Sequence, residues 1–464
     1  MAGILIEKGT VITMDARRRI IRNGAVLVEN DRIAWVGKAA RLNPKRAEGA
    51  RKIDASGKVV MPGLIDAHVH NVQTLARGLG DDIDLIDWIH ERIYPYEALM
   101  TEEDTYWSAM MTCVEMVRTG TTTVADPGSY LMDSVARAWE TFGMRGLLCW
   151  AGADQWSDDR ALPKGFRGKL TTDETMRAEE ALIDRWHGKA EGRIRVSAGV
   201  RVEPNCSPEL LRRCDALAKE RDLIVQFHAC VNWAQVEWVR KRWGMPTIEW
   251  MDSLGVLNDR WLLTHMAAVT DRDIDRVRER GVHVCHNPGA TLHGAYGAIQ
   301  HGKFPELIER GVKVVIGCDS TAANNSLDMF RAMYQVATAH KETRMIPDLI
   351  PPEKALEMAT VDAAEVFRWK EIGSLEKGKK ADVIVVDCSK SNWTPNYAFA
   401  LVPNLVYAGE GRDVETVLID GKVVYQDRKF TTVDEAEVNR RAQRAGERIV
   451  KQLPYKLKSR WPVV

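Results

Sequence analysis

This 464-residue chain has no apolar run of membrane-spanning length, and its start, Met-Ala-Gly-Ile-Leu-Ile-Glu-Lys-Gly, lacks the basic segment and long apolar core of a signal peptide. The expectation is a soluble protein that does not engage membranes and stays in the cytoplasm. Net charge is also missing. Lys plus Arg and Asp plus Glu stand at 65 each, so no overall field recruits nucleic acid or an anionic surface, and a small-molecule partner is expected. The eight cysteines are scattered without a Cys-x-x-Cys pair, which excludes a disulfide framework and a thiolate zinc cluster and fits a reducing compartment. Internal repeats, low-complexity tracts and long linkers are absent as well.

Both ends of the chain read as β structure. Ile4 to Ile6, Val11 to Met14, Ala25 to Val28 and Ile33 to Val36 are short strand-type runs split by turn residues. The pattern returns at Asp382 to Val386 and at Thr416 to Tyr425, where Asp420-Gly421 signals a tight hairpin. Residues 1–61 and 373–432 are therefore expected to meet in one small β-sandwich, with 433–464 as a helical tail.

Between them, 62–372 alternates strand and helix signals. Eight strand candidates lie at 63–68, 121–126, 145–150, 194–200, 223–228, 261–265, 281–286 and 312–319. Helix starts are marked by Thr101-Glu102-Glu103-Asp104, by Ser207-Pro208-Glu209 and by Thr270-Asp271-Arg272-Asp273. The first of these opens a run with Trp107, Met110, Met111 and Val114 on one face and Gly120 at its end. No Gly-rich phosphate turn follows the first strand, which argues against an open doubly wound sheet. The expected fold class is α/β, a (β/α)8 TIM-type barrel carrying the sandwich.

In such a barrel the functional side chains leave the C-terminal strand ends. Strand one ends in His68-Val69-His70, where residues two apart on a strand face the same side and can reach one ion. Strand five ends in His228, strand six in His265 and strand eight in Asp319. A single His after an apolar run is unremarkable as a core residue, and Asp319-Ser320-Thr321 alone would suit a helix cap. Five such residues at matching strand ends point to a metal site.

These residues sit in Met61-Pro62-Gly63-Leu64-Ile65-Asp66-Ala67-His68-Val69-His70, Gly120 to Asp126, Leu263-Thr264-His265, His286-Asn287-Pro288, Gly317-Cys318-Asp319 and Ile372 to Asp382. On these motifs nearly the whole chain resembles the amidohydrolase superfamily, in its mononuclear cytosine deaminase and triazine hydrolase branch. The resemblance implies that His68, His70, His228 and Asp319 bind one divalent metal, zinc first and iron or cobalt as alternatives. It also places His265 beside the metal's water or the substrate oxygen, and makes Asp319 and His265 the catalytic pair. A homo-oligomer is implied too. No lysine ends strand four, against a carbamylated two-metal site.

One position departs from the family. Deaminases of this branch carry His-x-x-Glu at strand five, the Glu protonating a ring nitrogen, whereas this chain reads His228-Ala229-Cys230-Val231. Loss of an acid worth roughly 10² to 10⁴ in rate tilts the expectation to acyl C–N cleavage of a urea, carbamate, thiocarbamate or amide. In this the chain is similar to phenylurea and thiocarbamate herbicide hydrolases. The alternatives are an aminohydrolase or chlorohydrolase acting on a triazine, pyrimidine or purine ring, with Glu203 or another group as acid, and a catalytically inactive scaffold. Candidate substrate contacts are Arg201 and Glu203 after strand four, the aromatic residues Trp88, Trp156, Trp233 and Tyr296, and His286, Asn287 and Asn324 after strands seven and eight. His90, His187, His283, His301 and His340 read as ordinary histidines.

Overall fold

The computed structural model describes residues 3–156, 160–457 and 459–462, so the outermost residues of the expected sandwich and tail lie outside the described residues. Short parallel strands rich in β-branched and apolar residues build the barrel: Leu64–Asp66, Thr121–Ala125, Arg145–Leu148, Ile194–Val196 continued by Ala198–Val202, Val225–Ala229, Trp261–His265, His283–His286 and Val314–Ile316. They form two parallel ladders that part at Ser197. The gap is bridged, because the Ser197 amide donates to Leu148 O at 2.8 Å and the Ala198 amide to Ile224 O at 3.0 Å. Strand eight closes on strand one through Ala67 N–H to Ile316 O at 2.9 Å and Asp319 N–H to His68 O at 2.8 Å. Closure leaves no open edge and turns all strand ends to one mouth.

The helices start where their caps predict. Thr101 and Asp104 form a reciprocal capping box on Glu102–Arg118, Thr270 and Asp273 do the same for Asp271–Glu279, and Ser207 caps Pro208–Glu220. On Glu102–Arg118 the buried stripe is Met110, Cys113, Val114 and Val117. Trp107 and Met111, expected on that same face, are only partly covered because they turn to the C-terminal helix Glu435–Val450, whose Arg441 guanidinium lies 5.6 Å from the Trp107 ring.

The two ends of the chain form one nine-stranded sheet. Lys58–Pro62 runs antiparallel to Val383–Asp387, with Val60 opposite Val385, and this pairing joins the N-terminal strands to the C-terminal ones. Ile6, Val11, Val26, Ile33, Val60, Val383, Val385 and Leu418 pack into a core of their own between its layers. The hairpin of Val414–Ile419 and Lys422–Gln426 turns at Asp420 (φ 52°) and Gly421 (φ 74°), two left-handed residues in sequence, as a type I′ turn requires.

A buried ion cluster ties this sheet to the barrel. Arg145, at the start of strand three and fully buried, donates from Nε to Asp382 Oδ2 at 2.6 Å and from Nη2 to Asp420 Oδ1 at 2.8 Å. Removing the guanidinium takes from buried Asp382 its ion-pair partner, while Asp420 keeps Lys380 Nζ at 3.0 Å. Arg145→Leu is therefore expected to cost about 3–5 kcal/mol, read as a lower urea midpoint and melting temperature, and an unchanged midpoint contradicts the tie.

Candidate functional site

Strand geometry aims the chemistry. His68 and His70 leave strand one on the same side, His228 lies within strand five, His265 ends strand six and Asp319 follows strand eight. His265 (φ 80°) and Asp319 (φ 65°) both adopt left-handed backbone, a strain of about 1–3 kcal/mol each that marks a residue held in place by its surroundings. The imidazoles converge. Ring centroids of His68 lie 5.0 Å from His70 and 4.8 Å from His228, and His228 lies 5.6 Å from His265. Asp319 reaches into the cluster, its Oδ1 at 3.8 Å from His70 Nε2 and its Oδ2 at 3.8 Å from His265 Nε2.

The electrostatics suit a cation. Burial first, and then the neighbouring imidazoles, hold His68 and His70 well below the usual histidine range. Burial brings His228 and His265 down to about 4. At neutral pH the rings are thus uncharged, the form that donates a lone pair to a metal. The Nδ1 of His228 bonds the Arg201 carbonyl at 2.7 Å, which turns its Nε2 to the cluster, where it stands 3.3 Å from His70 Nε2. The Nε2 of His68 is buried with no hydrogen-bond partner among the described residues. Facing lone pairs and an orphaned buried nitrogen are what a divalent ion would satisfy. His68, His70 and His228 form one ligand group and His68, His265 and Asp319 another, the ligand atoms within each lying inside 4.8 Å of one another. Three nitrogens and a carboxylate oxygen fit zinc, iron or cobalt. Asn287, expected near substrate, instead supports the cluster: its Nδ2 donates to Asp319 Oδ2 at 3.3 Å.

His70, His228, His265 and Asp319 open onto a cavity with about 720 Å³ of empty volume counted to its mouth. Its walls are mostly apolar, with Trp88, Ile89, Tyr94, Val231 and Tyr296 among them. Arg201 is among the lining residues. The guanidinium is partly buried, lies 5.0 Å from the Tyr94 ring, bonds the Tyr130 hydroxyl and stands 3.6 Å from Glu97 Oε2.

Several expected contacts are absent from this cavity. Glu203 does not line it. A 3-10 turn at Glu203–Asn205 sends the carboxyl behind the strand-five loop, where it accepts from Cys230 N–H at 2.7 Å and burial pushes it up to about 7. Trp156 packs edge-on against Tyr94 at 5.8 Å and Phe166 at 4.9 Å, behind the wall rather than in it. Trp233 is nearly half exposed, at the first position of its helix. His286 stacks on Phe304 at 3.7 Å and bonds His340 at 3.0 Å, so His340, read as ordinary, is half of a buried imidazole pair. Asn324 braces the turn after strand eight through the Cys318 and Ser326 carbonyls.

Three polar lining residues escaped the sequence reading: Gln73, Glu97 and Gln235. Gln73 stands three residues after His70 and donates to Glu97 Oε1 at 2.8 Å, and Gln235 stands one helical turn beyond Val231. Those offsets were the available signals.

The Amidohydrolase family model matches residues 59–424. The chain belongs to the amidohydrolase family. It is 35% identical over 451 residues to a 5'-deoxyadenosine deaminase of Methanosarcina mazei, covering 97% of this chain and 99% of that one. It is 37% identical over 442 residues to a 5-methylthioadenosine/S-adenosylhomocysteine deaminase of Syntrophobacter fumaroxidans, covering 95% and 97%. Among solved structures, an adenosine deaminase from Xanthomonas campestris with bound zinc superposes with a TM-score of 0.87 at 28% identity, over 96% of this chain and 98% of that one. An atrazine chlorohydrolase from Arthrobacter aurescens in complex with zinc gives 0.85 at 21% identity, over 96% and 100%, and shares the fold of this amidohydrolase. Among the described residues no helix is long and apolar enough to cross a membrane.

A chelator-competition titration checks the cluster. His228→Ala should abolish tight zinc binding, Asn287→Ala should weaken it by roughly tenfold or more, and Trp233→Ala should leave it unchanged. Equal zinc affinity in all three contradicts the cluster.

Proposed function

We propose that this amidohydrolase removes an amino group hydrolytically from a heteroaromatic ring, with adenine-type nucleosides as the first substrate class to test. The observation that carries the reading is the likeness over nearly the full chain to nucleoside deaminases, together with a cluster of four imidazoles and a carboxylate opening onto an aromatic-walled cavity. It reverses the preference drawn from Val231. Phenylurea or thiocarbamate cleavage draws no support from these relatives, which are named for ring deamination.

A divalent cation held by His68, His70, His228 and Asp319 would supply an acidified water and a Lewis acid. Asp319 accepts a proton from the attacking water and returns it to the departing amine, so ammonia leaves and the ring carbon gains oxygen. His265, poised 3.8 Å from Asp319, orients that transfer and faces the oxygen that adds to the reacting carbon. The aromatic walls exclude water and take the flat ring, while the Arg201 and Glu97 pair offers a polar anchor at the far groups of the substrate.

A second reading is kept for one reason. Val231 lines the cavity where a proton donor to a ring nitrogen is expected, and acyl C–N cleavage needs no such donor. Product analysis separates the two. Zinc-loaded protein is expected to release ammonia from 5'-deoxyadenosine or 5-methylthioadenosine, with Asp319→Asn slower by roughly 10² or more. An aniline from a phenylurea, with no ammonia from any ring amine, overturns the first reading in favour of the second.

A further inference from the structure

Gln235 occupies the corner of the cavity that Val231 leaves without an acid. It is the third residue of the helix Trp233–Trp243, whose start is capped by Asn232 Oδ1 accepting from the Gln235 amide at 2.9 Å. The Gln235 side chain turns back over this start, and its Oε1 accepts from Val231 N–H at 3.2 Å. That bond settles which way the amide faces, since only the oxygen can accept from a backbone N–H. The Nε2 is left as the free end. The residue is 5% exposed and lines the cavity, and among the described residues its hydrogen bonds run through Oε1 and the backbone N–H, which leaves the Nε2 hydrogens available to a ligand in the cavity.

We infer that Gln235 is a substrate-orienting residue that donates a hydrogen bond from Nε2 to an uncharged acceptor atom conjugated to the reacting carbon. The assignment rests on the reading above that this cavity takes the substrate. A primary amide donates a hydrogen bond without surrendering its proton. The atom it meets is therefore held and polarised, while the protons of the reaction travel through Asp319 alone. A ring nitrogen of a heteroaromatic amine and the carbonyl oxygen of a urea share the required chemistry, an sp² acceptor one bond from the carbon under attack. Gln235 thus selects for that acceptor and against substrates that present a donor or a cation at the same corner. The reading also gives Val231 a use, since its backbone N–H fixes the amide and its side chain keeps that corner dry.

The test uses full-length zinc-loaded protein and two probes, 5'-deoxyadenosine with a ring-nitrogen acceptor and N,N-dimethyl-N'-phenylurea with a carbonyl acceptor. Wild type is expected to bind at least one. Gln235→Leu should weaken that probe by roughly two- to tenfold, the range of one neutral hydrogen bond, with zinc content unchanged. Gln235→Glu, which keeps an oxygen for Val231 N–H and turns a carboxyl to the cavity, should speed ammonia release from the ring probe. It should also add a limb to the pH profile on which activity falls as pH rises and the acid ionises. An unchanged Kd in Gln235→Leu overturns the assignment, as does failure of both probes to bind wild type. If the Leu variant does not fold, the Glu variant decides, and the absence of a new pH limb overturns it. Binding and turnover of the urea alone, weakened by Gln235→Leu, sinks the ring-deamination reading and supports the role of Gln235.

Discussion

The closure of strand eight on strand one is the constraint on which the rest of the molecule depends. One hydrogen bond, Asp319 N–H to His68 O at 2.8 Å, sets the last member of the cluster against the first. Asp66 reinforces the seam. Its buried Oδ1 accepts from His68 N–H at 3.1 Å and from Cys318 N–H at 3.0 Å, joining the backbones of both strands directly beneath the cluster. Without this seam the barrel would be an open sheet, and His68 and Asp319 would lie at opposite edges of it. The left-handed backbone at His265 and Asp319 is then intelligible as local strain that a closed, fully hydrogen-bonded barrel can hold.

The cluster was legible in the sequence because strand periodicity fixes both where a strand ends and which way its last side chains point. His68, His70, His228, His265 and Asp319 all follow from that rule, and the barrel follows from the count of strands. The cavity walls do not obey it. They come from segments between strands, where a single turn redirects a side chain. Arg201 lies near the end of strand four and Glu203 directly after it, yet the 3-10 turn that begins at Glu203 carries its carboxyl behind the wall while Arg201 stays inside. Glu97 comes from Tyr94–Leu99, a short helix in the long segment after strand one, and nothing in its local pattern separates it from a surface residue until the chain is folded. Trp88 and Trp156 show the same contrast, one in the wall and one propping it from behind.

The site sets two lines of evidence against each other. One residue, Val231, argues from the chemistry of proton supply, and likeness over nearly the whole chain argues from relatedness. They meet in the polar lining. Within a mostly apolar cavity, Gln73, Glu97, Arg201 and Gln235 form a small set of fixed donors and acceptors, and their value is raised by the dryness around them. Under the proposed function, selection among ring and acyl substrates would depend on how those few groups are satisfied, and activation of water on the histidines and Asp319. On that proposal the same cluster would serve either bond, and the polar lining would decide between them.

X-ray absorption at the zinc edge of the metal-loaded protein reads out whether the converging imidazoles and Asp319 are the metal's ligands. The expected result is a first shell of nitrogen and oxygen at about 2.0–2.1 Å with the outer-shell scattering of several imidazoles. A sulfur shell at about 2.3 Å would contradict it, placing the metal on the buried cysteines instead.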